Sequence, residues 1–275
     1  VPTPSPALNA RAVPGLPPRA LVGMIHLDAL PGTPRASRRV SEIADLAAAD
    51  ARLLTDAGFD AVLVENMHDR PYLRREVGPE VVAAMTAAVL AVRSATRLPV
   101  GVQVLAGANE AALAICVATG ACFLRAEGFA YAAVADEGLL DRADAGPLLR
   151  RRRELGAEGV AILADVRKKH SSHAITADLG LAELVAGTEF SGADAVVITG
   201  VATGHPTSPA DLEVARAACH RPVVVGSGAD AATVQALLDR ADAVIVGSSI
   251  KRDGCWSSPI DGARARAFVA AARGR

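Results

Sequence analysis

From Leu21 onward, short apolar and often β-branched runs alternate with longer stretches whose apolar residues recur at helical spacing. The runs occupy 21–27, 61–65, 100–105, 122–126, 160–166, 195–199, 222–226 and 243–247. They are almost continuously apolar instead of alternating, which is the mark of parallel strands buried on both faces. The stretches between them predict helices over 41–57, 79–95, 109–119, 146–155, 178–186, 208–218, 230–240 and 261–272. Several carry their own boundary signals. Ser41 reads as an N-cap and Gly58 as a stop, Ser208-Pro209 as a cap with proline at the first helical position, and Asp230 as the cap of the seventh helix. Eight strands and eight helices in strict alternation predict an α/β fold, a single (β/α)8 TIM barrel over 21–275. An open doubly wound sheet is the competing arrangement. It finds no G-x-G-x-x-G fingerprint near the start and no composition break after Arg19. Three connections are longer than the rest, 28–40, 127–145 and 167–177, and they fall on the C-terminal face where barrels build their sites.

Composition narrows the partners. Lys and Arg total 29 against 30 Asp and Glu in 275 residues, so no global charge draws the chain to nucleic acid. Aromatic residues make up only 3%, too few for a base-stacking platform. No apolar run approaches the roughly 20 residues that span a bilayer. The four cysteines form no C-x-x-C pair, and free thiols in a cytoplasmic protein are expected. Six prolines lie within residues 1–20, which read as a flexible arm and lack the continuous apolar core of a signal peptide. Alanine-rich outer helices such as 44–57 leave room for close packing in a homo-oligomer.

Candidate chemistry gathers at the strand ends. The seventh strand runs into Gly226-Ser227-Gly228 and the eighth into Gly247-Ser248-Ser249, small-residue turns placed where barrels bind phosphate through backbone N–H groups. Lys251 follows closely. The fifth strand ends at Asp165, and Lys169 and His170 follow it, bringing an anion, a cation and a group that titrates near neutrality together. Glu65 and Asn66 stand at the mouth of the second strand, where an unpaired acid costs desolvation, and Arg125 on the fourth strand is its candidate partner. His26 and Gln103 are equally readable as substrate contacts or as hydrogen-bonded core polars, and Thr203 lies in a polar turn after the sixth strand. Asp165, Glu65, His170, Lys169 and Arg125 are the candidate catalytic groups. A divalent cation shared by Glu65 and Asp165 stays open, although no paired-ligand spacing signals it.

The segment Gly23-Met24-Ile25-His26-Leu27-Asp28-Ala29-Leu30-Pro31-Gly32-Thr33-Pro34 closely resembles the opening signature of the BtpA/SgcQ family. Val64-Glu65-Asn66, Asp165-Val166 with Lys169-His170, Gly226-Ser227-Gly228 and Val246-Gly247-Ser248-Ser249 continue the resemblance. The chain departs from the family's usual pattern at Gln103, where Asn is commoner, and at Arg125-Ala126-Glu127, where Arg-Val-Asn is commoner. The resemblance implies a TIM barrel in a family with two kinds of role. One branch is named for photosystem I biogenesis, and another is treated as processing sugar phosphates or nucleotides. The leading expectation is an enzyme acting on a phosphorylated sugar or nucleotide-like molecule by isomerisation, C–C cleavage or glycosyl transfer. A non-catalytic assembly factor and a metal-dependent phosphohydrolase, in which at least two of Glu65, Asp165 and His170 share an ion, are the alternatives.

Overall fold

The computed structural model describes residues 11–200 and 207–274. Along the chain these residues form β1 (Ala20–His26), α1 (Val40–Ala57), β2 (Ala61–Glu65), α2 (Pro79–Ala95), β3 (Val100–Gln103), α3 (Asn109–Thr119) and β4 (Phe123–Ala126). Next come β5 (Ala133–Ala135), β6 (Gly138–Leu140), α4 (Ala145–Glu154), β7 (Ala161–Asp165), β8 (Ser171–Ser172), α5 (Leu181–Phe190) and β9 (Ala195–Ile198). The chain finishes with α6 (Pro209–Ala218), β10 (Val223–Val225), α7 (Val234–Leu238), β11 (Ala243–Val246) and α8 (Gly262–Ala272). Eight strands close into a parallel barrel in the order β1-β11-β10-β9-β7-β4-β3-β2. All eight apolar runs of the sequence are barrel strands, so the (β/α)8 TIM barrel is the fold.

Two apolar layers hold it. The outer layer packs the helices on the barrel, with Ile43, Leu54, Met85, Leu113 and Phe268 buried in it. The inner layer fills the barrel itself with Val22, Leu63, Phe123, Leu163, Val197 and Ile245. Phe123 reaches across toward β3, where only glycine leaves it space. A Cβ at Gly101 would stand 2.1 Å from its ring.

Several boundaries differ from the sequence expectation for identifiable reasons. Ser41 is not the N-cap. The helix opens at Val40, and Glu42 reaches back to accept the Arg39 N–H at 2.8 Å. The fifth helix starts at Leu181, after a 3-10 turn at Ala174–Thr176, because Glu183 accepts the Gly180 N–H at 2.7 Å. Asp230 does not cap α7 directly. Its Oδ1 accepts from the Ala232 and Thr233 amides and holds 230–233 as a separate turn, which shortens the helix to Val234–Leu238.

The N-terminal arm is also corrected where it is described. Val13 and Leu16 are buried in the inner layer against Ala20, Ala61, Ala161, Ala195 and Ala243, the first residues of their strands. Residues 11–19 therefore close the N-terminal mouth of the barrel. The Arg11 amide fastens them to the Asp242 carboxylate at 2.8 Å, and its guanidinium donates to the Cys219 carbonyl at 2.6 Å. Val13→Ala removes two methyl groups from this stopper and is expected to cost about 2 kcal/mol, a fall in Tm of roughly 4–8 °C. A melting temperature unchanged in this variant would return the segment to the status of a loose arm.

The long fourth and fifth connections form a structure not anticipated from periodicity. β5 pairs antiparallel with β6 and with β8, giving a three-stranded cap over the C-terminal face. The Asp136 N–H donates to the His170 carbonyl and links the two connections again.

Candidate active site

Beneath this cap, at the strand C-termini, lies a cavity of about 530 Å³. That is within the roughly 300–1,000 Å³ typical of small-molecule sites. Glu65, His26, Gln103, Arg125, Lys169, His170, Ser227, Gly228, Ser248 and Ser249 line it, as do Gly226 and Gly247. Thr203 lies outside the described residues.

One wall is made by the connections after β10 and β11. Gly228 is left-handed, at φ +73°, a conformation that favours glycine. Among the described residues, the amides of Gly228, Ala229, Ser248 and Ser249 donate to no backbone carbonyl or side chain. Ser249 Oγ donates to the Ala229 carbonyl at 2.7 Å and ties the two connections together. Gly226 has a different task from the one expected. Its amide is used by the Ile198 carbonyl, and its lack of a Cβ makes room for Val197 and the Arg125 guanidinium. Lys251 is also corrected: it does not face this wall. The cation here is Arg264 of α8, whose Nε donates to the Ser249 carbonyl at 2.9 Å while its side chain lines the cavity.

Lys251 instead points under the floor. Its Nζ lies 2.9 Å from His26 Nδ1 and donates to the Trp256 carbonyl at 2.8 Å. His26 Nδ1 also lies 3.2 Å from the Trp256 carbonyl oxygen, and Nε2 lies 3.4 Å from Glu65 Oε2. Burial and the neighbouring Lys251 hold the His26 pKa well below its ordinary value, so the ring is neutral near pH 7. Burial raises Glu65, with Arg125 and Lys169 opposing, and pulls Lys251 down to about 8, with Asp50 and Glu65 opposing.

Arg125 does not pair with Glu65 in the manner anticipated. Its Nε and Nη2 donate to Asp165 Oδ1 at 3.1 and 3.0 Å, and Nη1 donates to the Gly226 carbonyl at 3.3 Å. Asp165 is thereby turned away and does not line the cavity. Asn66 is likewise absent from its lining, since it bridges Asp69 and the backbone of Leu105 as a buried structural polar. Of the two carboxylates suggested for a cation, Glu65 meets His26 and Asp165 meets Arg125. Among the described residues no three His, Cys, Asp or Glu side chains converge to hold a metal ion.

The opposite wall contains groups that sequence reasoning passed over. Lys168 Nζ lies 2.9 Å from Glu137 Oε1 and 4.0 Å from Glu127 Oε1. Burial pushes the Glu127 carboxyl up to about 7, with Lys168 opposing. Trp256 lines the mouth, with the Arg70 guanidinium 4.5 Å from its ring centroid. The length of the fourth connection was the one signal available for Asp136 and Glu137, whereas Glu127 also stood out as a departure from the family pattern.

A closed eight-stranded parallel barrel with its polar cavity at the strand C-termini defines a TIM-barrel protein. Solved structures agree on the fold. A chain of tryptophan synthase from Mycobacterium tuberculosis superposes with a TM-score of 0.60 at 18% identity, over 93% of both chains. N-(5'-phosphoribosyl)anthranilate isomerase from Pyrococcus furiosus gives 0.57 at 14% identity, over 94% of this chain and all of that one. The BtpA family model matches residues 18–274, and the chain belongs to that family. It is 40% identical to an uncharacterised mitochondrial protein of Caenorhabditis elegans, over 90% of each chain. It is 39% identical to the photosystem I biogenesis protein BtpA of Synechocystis, over 91% of this chain and 87% of that one. No helix among the described residues is long and apolar enough to cross a membrane.

Proposed function

We propose that this protein is an enzyme that binds a small phosphorylated metabolite, sugar- or nucleotide-like, in the C-terminal cavity and performs acid–base chemistry on it. The observation that carries this reading is the wall of four amides at Gly228, Ala229, Ser248 and Ser249, with Arg264 beside it. Amides with no acceptor among the described residues, and a guanidinium at one spot, suit a dianion. The solved neighbours include proteins whose names carry phosphorylated compounds, among them a thiamine phosphate pyrophosphorylase. The reacting groups would be Glu65, held by His26 and Lys251, and Glu127, whose proton is exchangeable near neutrality. Lys169 and Arg125 on the cavity wall would stabilise negative charge developing on the substrate. An assembly role of the kind in the Synechocystis relative's name would need an outward-facing surface, whereas these groups converge inward.

A thermal-shift series with inorganic phosphate, pentose and hexose phosphates and nucleoside monophosphates tests the reading. Ligand at about 100 times its Kd adds roughly 2.7 kcal/mol, and a clear rise in Tm is expected with at least one class. Ser248→Glu places a carboxylate against the amides and should abolish the rise while the protein still melts cooperatively. A flat response to every phosphorylated compound would end the proposal.

A further inference from the structure

Glu127 Oε2, Glu137 Oε2 and Gln103 Oε1 are buried and have no hydrogen-bond partner among the described residues. All three residues line the same cavity. The Glu137 side chain is 3% exposed and the Glu127 side chain 10%, while Gln103 is 2% exposed. Buried acceptors are normally satisfied, and three on one cavity that have no partner among the described residues can take donors from a ligand. The way Lys168 is placed explains why the oxygens are left over. It meets the Oε1 atom of each glutamate, at 2.9 Å for Glu137 and 4.0 Å for Glu127, and leaves both Oε2 atoms. The β5–β6 turn carries Glu137, the end of β4 leads into Glu127, and Gln103 ends β3. Three separate elements thus contribute to one acceptor wall.

The cavity therefore has two poles of opposite hydrogen-bonding sense. The connections after β10 and β11 offer N–H donors and want acceptors, while the Glu127–Glu137–Gln103 wall offers acceptors and wants donors. We infer that the ligand is a phosphate monoester whose other end carries neighbouring hydroxyl groups, a sugar phosphate, with the hydroxyls donating to Glu127, Glu137 and Gln103. The inference rests on the phosphate reading above for one end of the ligand only. Two carboxylate oxygens from different elements suit a pair of adjacent hydroxyls, and the Gln103 amide can donate as well as accept. An alkyl phosphate of the same length would satisfy one pole and leave three acceptors desolvated. A site built to meet hydroxyls discriminates strongly against an analogue that lacks them.

Isothermal titration calorimetry decides it, using inorganic phosphate, a panel of pentose and hexose phosphates, the corresponding free sugars and pentyl phosphate. At least one sugar phosphate is expected to bind about tenfold or more tightly than pentyl phosphate. Glu137→Gln should erase most of that advantage while leaving the affinity for inorganic phosphate within about twofold, because the amide pole is untouched. Gln103→Met is the second variant should Glu137→Gln not fold, and the same loss is expected of it. Pentyl phosphate binding as well as every sugar phosphate would overturn the inference and leave the phosphate reading standing. So would a sugar advantage that survives both substitutions. Free sugars binding in a Glu137-dependent way, with no phosphate binding at all, would uphold the acceptor wall and remove the phosphate reading. Binding of neither class would overturn both.

Discussion

Glu127→Gln is expected to stabilise the protein relative to wild type as the pH rises from about 5 to about 8, by on the order of 2–3 kcal/mol. The Glu127 carboxyl is raised from 4.5 to about 7, by burial first, with the attraction of Lys168 opposing. A raised folded-state pKa means that the folded protein holds this proton more tightly than the unfolded chain. Its contribution to stability is therefore complete below about 4.5 and is lost as the pH climbs through about 7. The glutamine cannot ionise, so it keeps the neutral state throughout. Comparing the difference between variant and wild type at the two pH values cancels whatever the substitution does to packing. Residues such as Asp50, which burial raises to about 6, titrate in both proteins and cancel as well. For a chain of this size the divergence in Tm should reach roughly 5–10 °C. Parallel Tm-against-pH curves for the two proteins would show that Glu127 is ionised across the range. It would then be unable to act as an acid near neutrality.

The barrel was legible because its strands are buried on both faces. Near-continuous runs of Val, Ile, Leu and Ala, each followed by a helical stretch, have few other solutions. The polar residues at strand ends were legible for the same reason: Glu65, Gln103 and Arg125 stand out against an apolar run, and all three line the cavity. Their partners were not. Whether Arg125 meets Glu65 or Asp165 depends on neighbours across the barrel, and β4 pairs with both β3 and β7. Sequence spacing carries no information on that choice. Lys251 and Arg264 illustrate the same limit. Both are basic residues near the last two strands, and only the path of the 3-10 turns at Ser248–Ile250 and Arg252–Gly254 decides which one faces the amides. The cap was hidden for a further reason. Strands of two or three residues, such as β5, β6 and β8, are too short to show alternation, and their pairing joins connections separated by a whole helix and strand. The acceptor wall sits partly on that cap, and no apolar run marks the position of Glu137.

Asp165→Asn is expected to cost about 3–5 kcal/mol, a fall in Tm of at least roughly 6–10 °C, because it leaves a buried guanidinium without its counter-charge. The Arg125 and Asp165 side chains are only 5% and 2% exposed, and both donors meet the same Oδ1. Water cannot replace the lost carboxylate at such a site, so the full desolvation of Arg125 becomes a deficit. Replacing both members, as Arg125→Met with Asp165→Leu, removes the two charges together and should recover most of the stability. The pair of variants separates two roles for Asp165. If it acts by holding Arg125 against the Gly226 carbonyl and the cavity wall, stability falls first, and the double variant regains its Tm while losing the guanidinium from the site. If it met the ligand itself, Asp165→Asn would weaken binding and leave the melting temperature within a few degrees of wild type. The geometry favours the first outcome: Asp165 is absent from the cavity lining while Arg125 is part of it. An acid at the end of a buried strand can thus mark a site it does not touch, by fixing the cation that does.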